Sequence, residues 1–294
     1  MSYDLLFLSD SEQSIPDRDL FREHFARRAF YQVGQDQAVY ENPDTGVYFI
    51  FDLVSEALED EPPSWLAFTL NFYRPHYFAL EAVPELQAVI DRTSGMVLDP
   101  QDGDPAPRPF STEQFLKNWN HGNEQAYRIM PEEERKQGLR SDHLAYSTSL
   151  LEGVWRWNWN RQRQQGQLGD DVFVPRISFI SLERKVQSTA VWTDAIPVHL
   201  PEVDTVLIYR DELRKRQWFG GFGGAPDLAL VPWRDLEARL LDYPREDGSM
   251  PFRNISYPRA PEPLTDYLRS LPPVNPKPSM LAMDSVLNAE LFAG

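Results

Sequence analysis

The first hundred residues switch repeatedly between two apolar periods, and that alternation constrains the fold more than any other feature of the chain. A repeat of two places side chains on alternate faces of a strand, whereas recurrence at three and four residues lines one face of a helix. Residues 3–8 are a short apolar run that predicts a strand. Pro16 and Asp17 then open a helix to about Ala29, with proline in its first turn and Leu20, Phe21, Phe25 and Phe30 at helical spacing. Residues 37–41 and 46–53 predict two strands joined by Asn42, Pro43, Asp44, Thr45 and Gly46, residues suited to a tight turn. Within the second of these strands, Val47, Phe49 and Phe51 alternate with Tyr48, Ile50 and Asp52. Residues 65–73 add a further strand and 75–92 a helix interrupted by Pro84. Gly95 is placed as a cap before a brief closing strand at 96–98.

The resulting order is strand, helix, three strands, helix, strand. It predicts an α+β fold whose N-terminal part is a ferredoxin-like (split βαβ) sheet-and-helix domain with one additional strand. Residues 99–109 contain four prolines and read as a linker. Ser111 or Thr112 caps a helix running to about Ile129, and a charged stretch at 131–140 leads into a helical or mixed region at 141–166. There Trp155, Trp157 and Trp159 alternate with polar residues inside helix-compatible flanks, so period alone leaves helix and strand both open. Strand patterns return at 172–182, 187–193 and 205–209, and residues 229–231 feed a helix opened by Pro232. A last short helix at 264–271 precedes an extended, proline-rich tail. The expected organisation is an acidic α+β domain at 1–110, a helical connector at 111–168 and a second mixed α+β domain at 169–294.

Charge sharpens this picture. Across 294 residues the formal net charge is −16, which argues against a phosphate-backbone binder. Residues 1–110 hold 20 acidic residues against 7 arginines and no lysine, a balance of −13, whereas the remainder carries only −3. An acidic lobe steers basic partners and accelerates their capture. The expected partner is therefore a basic protein, with no nucleic acid and no membrane, and the expected docking residues are Glu59, Asp60, Glu61, Asp99, Asp102 and Asp104. Trp155, Trp157 and Trp159 join them as aromatic anchors if exposed, although Trp beside Arg156, Arg161 and Arg163 equally describes rings buried between elements.

Signatures of catalysis are sparse. There is no cysteine, which removes thiolate metal sites and thiol nucleophiles. None of the five histidines sits at zinc-ligand spacing; His121 with Glu124 is the one helical pair, and Asp142 beside His143 the one candidate oriented base. Neither a G-x-S-x-G elbow nor an S-x-x-K motif occurs. The loop Trp218-Phe219-Gly220-Gly221-Phe222-Gly223-Gly224 lacks the Lys and Ser/Thr of a phosphate-binding loop. No cofactor and no metal is expected. The alternative is an enzyme with a site in the C-terminal domain near the Gly-rich loop 220–224 and His199 or His143. No signal-peptide pattern and no long apolar window occur, so a cytoplasmic location is expected.

The segments Tyr3-Asp4-Leu5-Leu6-Phe7-Leu8-Ser9, the hairpin 41–53 and residues 95–101 together resemble small bacterial α+β proteins of the toxin-immunity or accessory type. The resemblance covers residues 1–110. It implies a protein that neutralises a toxin or other protein partner by occluding it, and it supplies no catalytic residues.

Overall fold

Helix and strand segments of the first unit meet on one seam of aromatic rings. In this computed structural model, the described residues are 1–8, 18–54, 64–93, 96–103, 106–136, 144–183, 185–213, 227–275 and 278–292. They form a mixed α+β protein of two compact units, Met1–Thr148 with Leu287–Gly294, and Ser149–Val286. This division cuts through the segment 111–168 expected as a connector. The helix that follows residue 111 belongs to the first unit, and all but the first residue of the next helix belongs to the second.

The first unit runs β1 (Ser2–Leu8), α1 (Arg18–Ala26), β2 (Tyr31–Val33), β3 (Gln37–Glu41), β4 (Tyr48–Leu53), β5 (Ser64–Asn71) and α2 (Tyr77–Thr93). It continues through β6 (Met96–Leu98), β7 (Arg108–Pro109), α3 (Thr112–Lys136) and β8 (Leu144–Tyr146). Seven strands pair in the order β2-β3-β4-β5-β1-β6-β7, each antiparallel to its neighbour. Phe51 of β4 meets Phe25 of α1 at 4.9 Å between ring centroids, Phe68 of β5 meets Phe51 at 5.1 Å, and Phe115 of α3 meets Phe68 at 6.1 Å. Tilted ring pairs of this kind add about 0.5–1.5 kcal/mol each beyond their buried area. On α2, Pro84 is accommodated within the helix, so the expected interruption does not occur.

Two expectations for this unit change. Helix α1 ends at Ala26, and Phe30 takes a left-handed φ of 70° that turns the chain into β2, which the sequence pattern does not announce. Residues 99–109 are no linker, because Asp99 is buried, Arg108 and Pro109 extend the sheet beyond β6, and α3 starts directly afterwards.

The second unit contains α4 (Thr148–Leu168), β9 (Ile177–Leu182), β10 (Lys185–Thr193), β11 (Val198–Pro201), β12 (Thr205–Tyr209), β13 (Leu228–Pro232) and α5 (Trp233–Glu237). β14 (Arg245–Glu246), β15 (Phe252–Ile255), α6 (Glu262–Ser270) and β16 (Ser279–Leu281) follow, and β17 (Val286–Asn288) lies in the first unit from its second residue on. Five strands order as β13-β12-β10-β9-β16, with β10 and β12 parallel and the other pairs antiparallel. A separate three-stranded sheet orders as β11-β15-β14. Asn158 of α4 is fully enclosed, donating to Ile177 O at 2.8 Å and accepting from Ile177 N at 2.9 Å, which sews the helix to β9. Arg210, also fully buried, donates to the Leu268 and Leu271 carbonyls at the end of α6 and pairs with Asp227 at 2.8 Å. That arrangement satisfies helix-terminal carbonyls that have no intrahelical partner. Among the described residues no helix is long and apolar enough to cross a membrane.

One glycine in α3 is dictated by packing. A Cβ at Gly122 would lie 2.3 and 2.6 Å from ring atoms of Phe72, well inside contact distance. Gly122→Ala is therefore expected to destabilise the protein by about 1–3 kcal/mol, the usual cost of overpacking, despite alanine's better helix propensity. Urea denaturation of the two proteins measures it; an equal or higher midpoint for the variant would contradict the contact.

Candidate docking surface

Helices α1, α2 and α3 all reach core-facing residues of the sheet in the first unit, through Phe51, Tyr40 and Phe68 respectively. The alternate residues on β1, β3, β4 and β5 are left half-buried or exposed. Pairing registers place them in rows. Val39, Ile50, Thr69 and Asp4 lie across one row, and Gln37, Asp52, Ala67 and Leu6 across the next. Glu41 ends β3 on the same face, two residues beyond Val39. Across neighbouring strands about 4.8 Å apart, β3 to β1 spans about 14 Å. The face thus carries three carboxylates, Asp4, Glu41 and Asp52, around half-buried Leu6, Val39 and Ile50.

Neutral groups hold these carboxylates. Thr69 Oγ1 donates to Asp4 at 2.7 Å, and Gln37 Nε2 donates to Asp52 at 2.8 Å. Among the described residues none of the three forms an ion pair. Carboxylates elsewhere in the unit differ. Glu85 takes a bidentate pair from Arg28 at 2.7 and 2.9 Å and a third bond from Tyr31 Oη at 3.0 Å. Glu81 has no exposed surface, and its Oε1 accepts from Tyr40 Oη, Asn42 Nδ2 and Thr45 Oγ1 at 2.8, 2.8 and 3.0 Å. A buried carboxylate is tolerable only with such donors, and here they fasten the β3–β4 turn to α2.

The residues expected to dock a partner divide three ways. Glu59, Asp60, Glu61 and Asp104 lie outside the described residues, as do the Gly-rich loop 220–224 and His143. Asp99 is buried and Asp102 half-buried. Asp99 is 4% exposed and accepts from Tyr3 Oη at 2.5 Å and Asn118 Nδ2 at 2.8 Å. Asp102 shares that Asn118 amide at 2.9 Å and pairs with Arg108. Burial, the Asp99 hydrogen bond and its charge hold the Tyr3 phenol protonated far above its ordinary range. Finally, the tryptophans lie on α4 and not on a strand. Trp155 and Trp157 are buried, Trp157 Nε1 donates to Pro175 O at 2.8 Å, and Trp159 packs on Trp155 at 4.7 Å, one helical turn away. Of the two readings open for these rings, burial holds for Trp155 and Trp157.

Sequence reasoning missed Asp4, Glu41 and Asp52. The signal was present for Asp52, whose alternation with Phe49 and Phe51 was visible, but only strand order unites it with Asp4. Among the described residues, no three His, Asp or Glu side chains converge to hold a metal ion. His121 is exposed on α3, and His199 of β11 packs on Phe252 at 4.9 Å with its pKa lowered by burial. No family model, curated protein or solved structure matches this chain.

His24 on α1 offers a pH handle on the unit. Burial first, then the Arg28 and Arg92 charges, pull its pKa down from 6.5 to about 4, and its Nε2 is enclosed without a hydrogen-bond partner. The unfolded chain then takes up a proton at a higher pH than the folded one, so stability falls as pH drops from about 6.5 to about 4 and this contribution levels off below. Urea titrations across that window are expected to show wild type losing stability faster than His24→Gln. Parallel pH profiles would refute the assignment.

Proposed function

We propose that this chain is a binding protein, immunity-like in action, which occludes a basic protein partner through the open sheet face of its first unit. The carrying observation is the three carboxylates Asp4, Glu41 and Asp52, which share one sheet face and, among the described residues, form no ion pair. Half-buried Leu6, Val39 and Ile50 among them supply the apolar centre that such interfaces need, and the acids supply steering. Glu59, Asp60 and Glu61, outside the described residues, count toward the formal negative charge of residues 1–110. The finer fold reading belongs with this proposal. Strand order β4-β5-β1-β6, with α1 following β1 and α2 joining β5 to β6, supports a ferredoxin-like split βαβ core widened by β2, β3 and β7. A cytoplasmic site of action goes with it.

Association kinetics test the proposal. With a partner isolated by affinity capture on the intact chain, stopped-flow association is expected to slow steeply as salt rises. The triple variant Asp4→Asn, Glu41→Gln, Asp52→Asn should bind about tenfold more slowly at low ionic strength, with a shallow salt dependence. Equal rates for variant and wild type, or a salt-independent wild type, would sink the docking face.

A further inference from the structure

The five-stranded sheet of the second unit has a partly exposed face, and it differs in chemistry from the acidic one. Ala190, Val206 and Trp192, Ile208, Ala229 form its buried rows. The opposite side carries Gln187 and Thr189 of β10, Thr205 and Leu207 of β12, and Leu230 and Pro232 of β13. Val191, on that same side, stays exposed. A groove of about 630 Å³ opens at one end of this face, walled by Leu182, Val203, Leu230, Pro232 and Trp233, with Gln187 and Thr205 along its floor. That volume falls in the range of small-molecule sites, which combine apolar walls with a few placed polar groups.

Two polar atoms of the floor strand lack partners. Gln187 Oε1 is enclosed without a hydrogen bond, and so is Thr189 Oγ1, whose residue is 1% exposed. The two residues alternate on β10, so both side chains belong to the groove's side of the sheet. An enclosed polar atom left unsatisfied forfeits its solvation, and native structures keep few of them. A carboxamide oxygen only accepts, so what is missing at Gln187 is a donor. The rim balances its charges, since Asp204 and Arg234 both line it, and Ser188 N and Oγ donate to Asp204 at 2.8 and 3.0 Å. Little net charge selects the ligand.

The geometry points to a binding site for a neutral aromatic molecule bearing one ring N–H or O–H donor, of the indole or phenol class. Its ring lies against Trp233, Leu230 and Val203, and its donor reaches the Gln187 carboxamide oxygen at the floor.

Indole and 1-methylindole, which share a ring system but differ in the donor, discriminate this site from a greasy patch. Titrated into the intact chain and followed by ligand chemical shifts, indole is expected to bind about tenfold more tightly than 1-methylindole. Gln187→Leu, which keeps the wall apolar and removes the acceptor, should erase the difference by weakening indole alone. Trp233→Ala should weaken both ligands together, with the fold of each variant checked by thermal melting. Equal affinity of the two ligands for wild type, no binding of indole up to its solubility limit, or a preference that survives in Gln187→Leu would each overturn the site. The wild-type comparison decides the matter even if a variant fails to fold.

Discussion

The first unit depends on its sheet being dried from one side only. Helices α1, α2 and α3 all reach the same face, where Phe25, Phe51, Phe68 and Phe115 form a continuous run of rings. Large aromatic side chains bury about 150–250 Å² each and dominate such cores. With the hydrophobic driving force concentrated there, the other face is left half-buried, carrying polar residues beside Leu6, Val39 and Ile50. An antiparallel sheet can sustain that asymmetry, with alternate residues inward and outward. The outward set, Asp4, Gln37, Glu41, Asp52 and Thr69, is the direct consequence.

Composition overstates how much of the chain's negative charge reaches the surface. Glu81 and Asp99 are acids by formula, yet each is enclosed and held by hydroxyl and amide donors from distant strands or helices. Their energetic role is to fix geometry, since removing a donor would strand a charge in a medium that solvates it poorly. Arg210 does the equivalent in the second unit, where it closes the end of α6. Charge on the described sheet face comes from residues that form no ion pair among the described residues, and it is this subset that can act at a distance. The second unit's sheet carries a groove of apolar walls with the unpaired Gln187 carboxamide oxygen in its lining. One chain therefore offers two sheet faces of different chemistry.

Much of the element order was legible. Strands β1, β3, β4, β5 and β6 and helices α1 and α2 follow from periods of two and of three to four. Strand β2 was not, because its three residues carry no distinguishable period and depend on the left-handed turn at Phe30. Four prolines made residues 99–109 look like a linker, but proline is tolerated at a sheet edge such as Pro109. The tryptophan alternation on α4 was ambiguous because positions two apart fall on different helical faces, and Trp155 and Trp157 are buried on two of them. Of the docking residues expected from charge alone, Asp99 is buried and Asp102 is half-buried and paired with Arg108, since a run of acids says nothing about which way each one faces.

What the sequence by itself determined is the mixed α+β character, the location of most elements and the concentration of acid in the first 110 residues, because backbone period and charge are local properties. Tertiary structure alone decided which acids face water and which are enclosed. Asp4, Glu41 and Asp52 meet on one face only through strand order, and Asp99 is solvated by a phenol 96 residues away and an amide 19 residues away. Desolvation and hydrogen bonding depend on neighbours in space, and no local pattern records them.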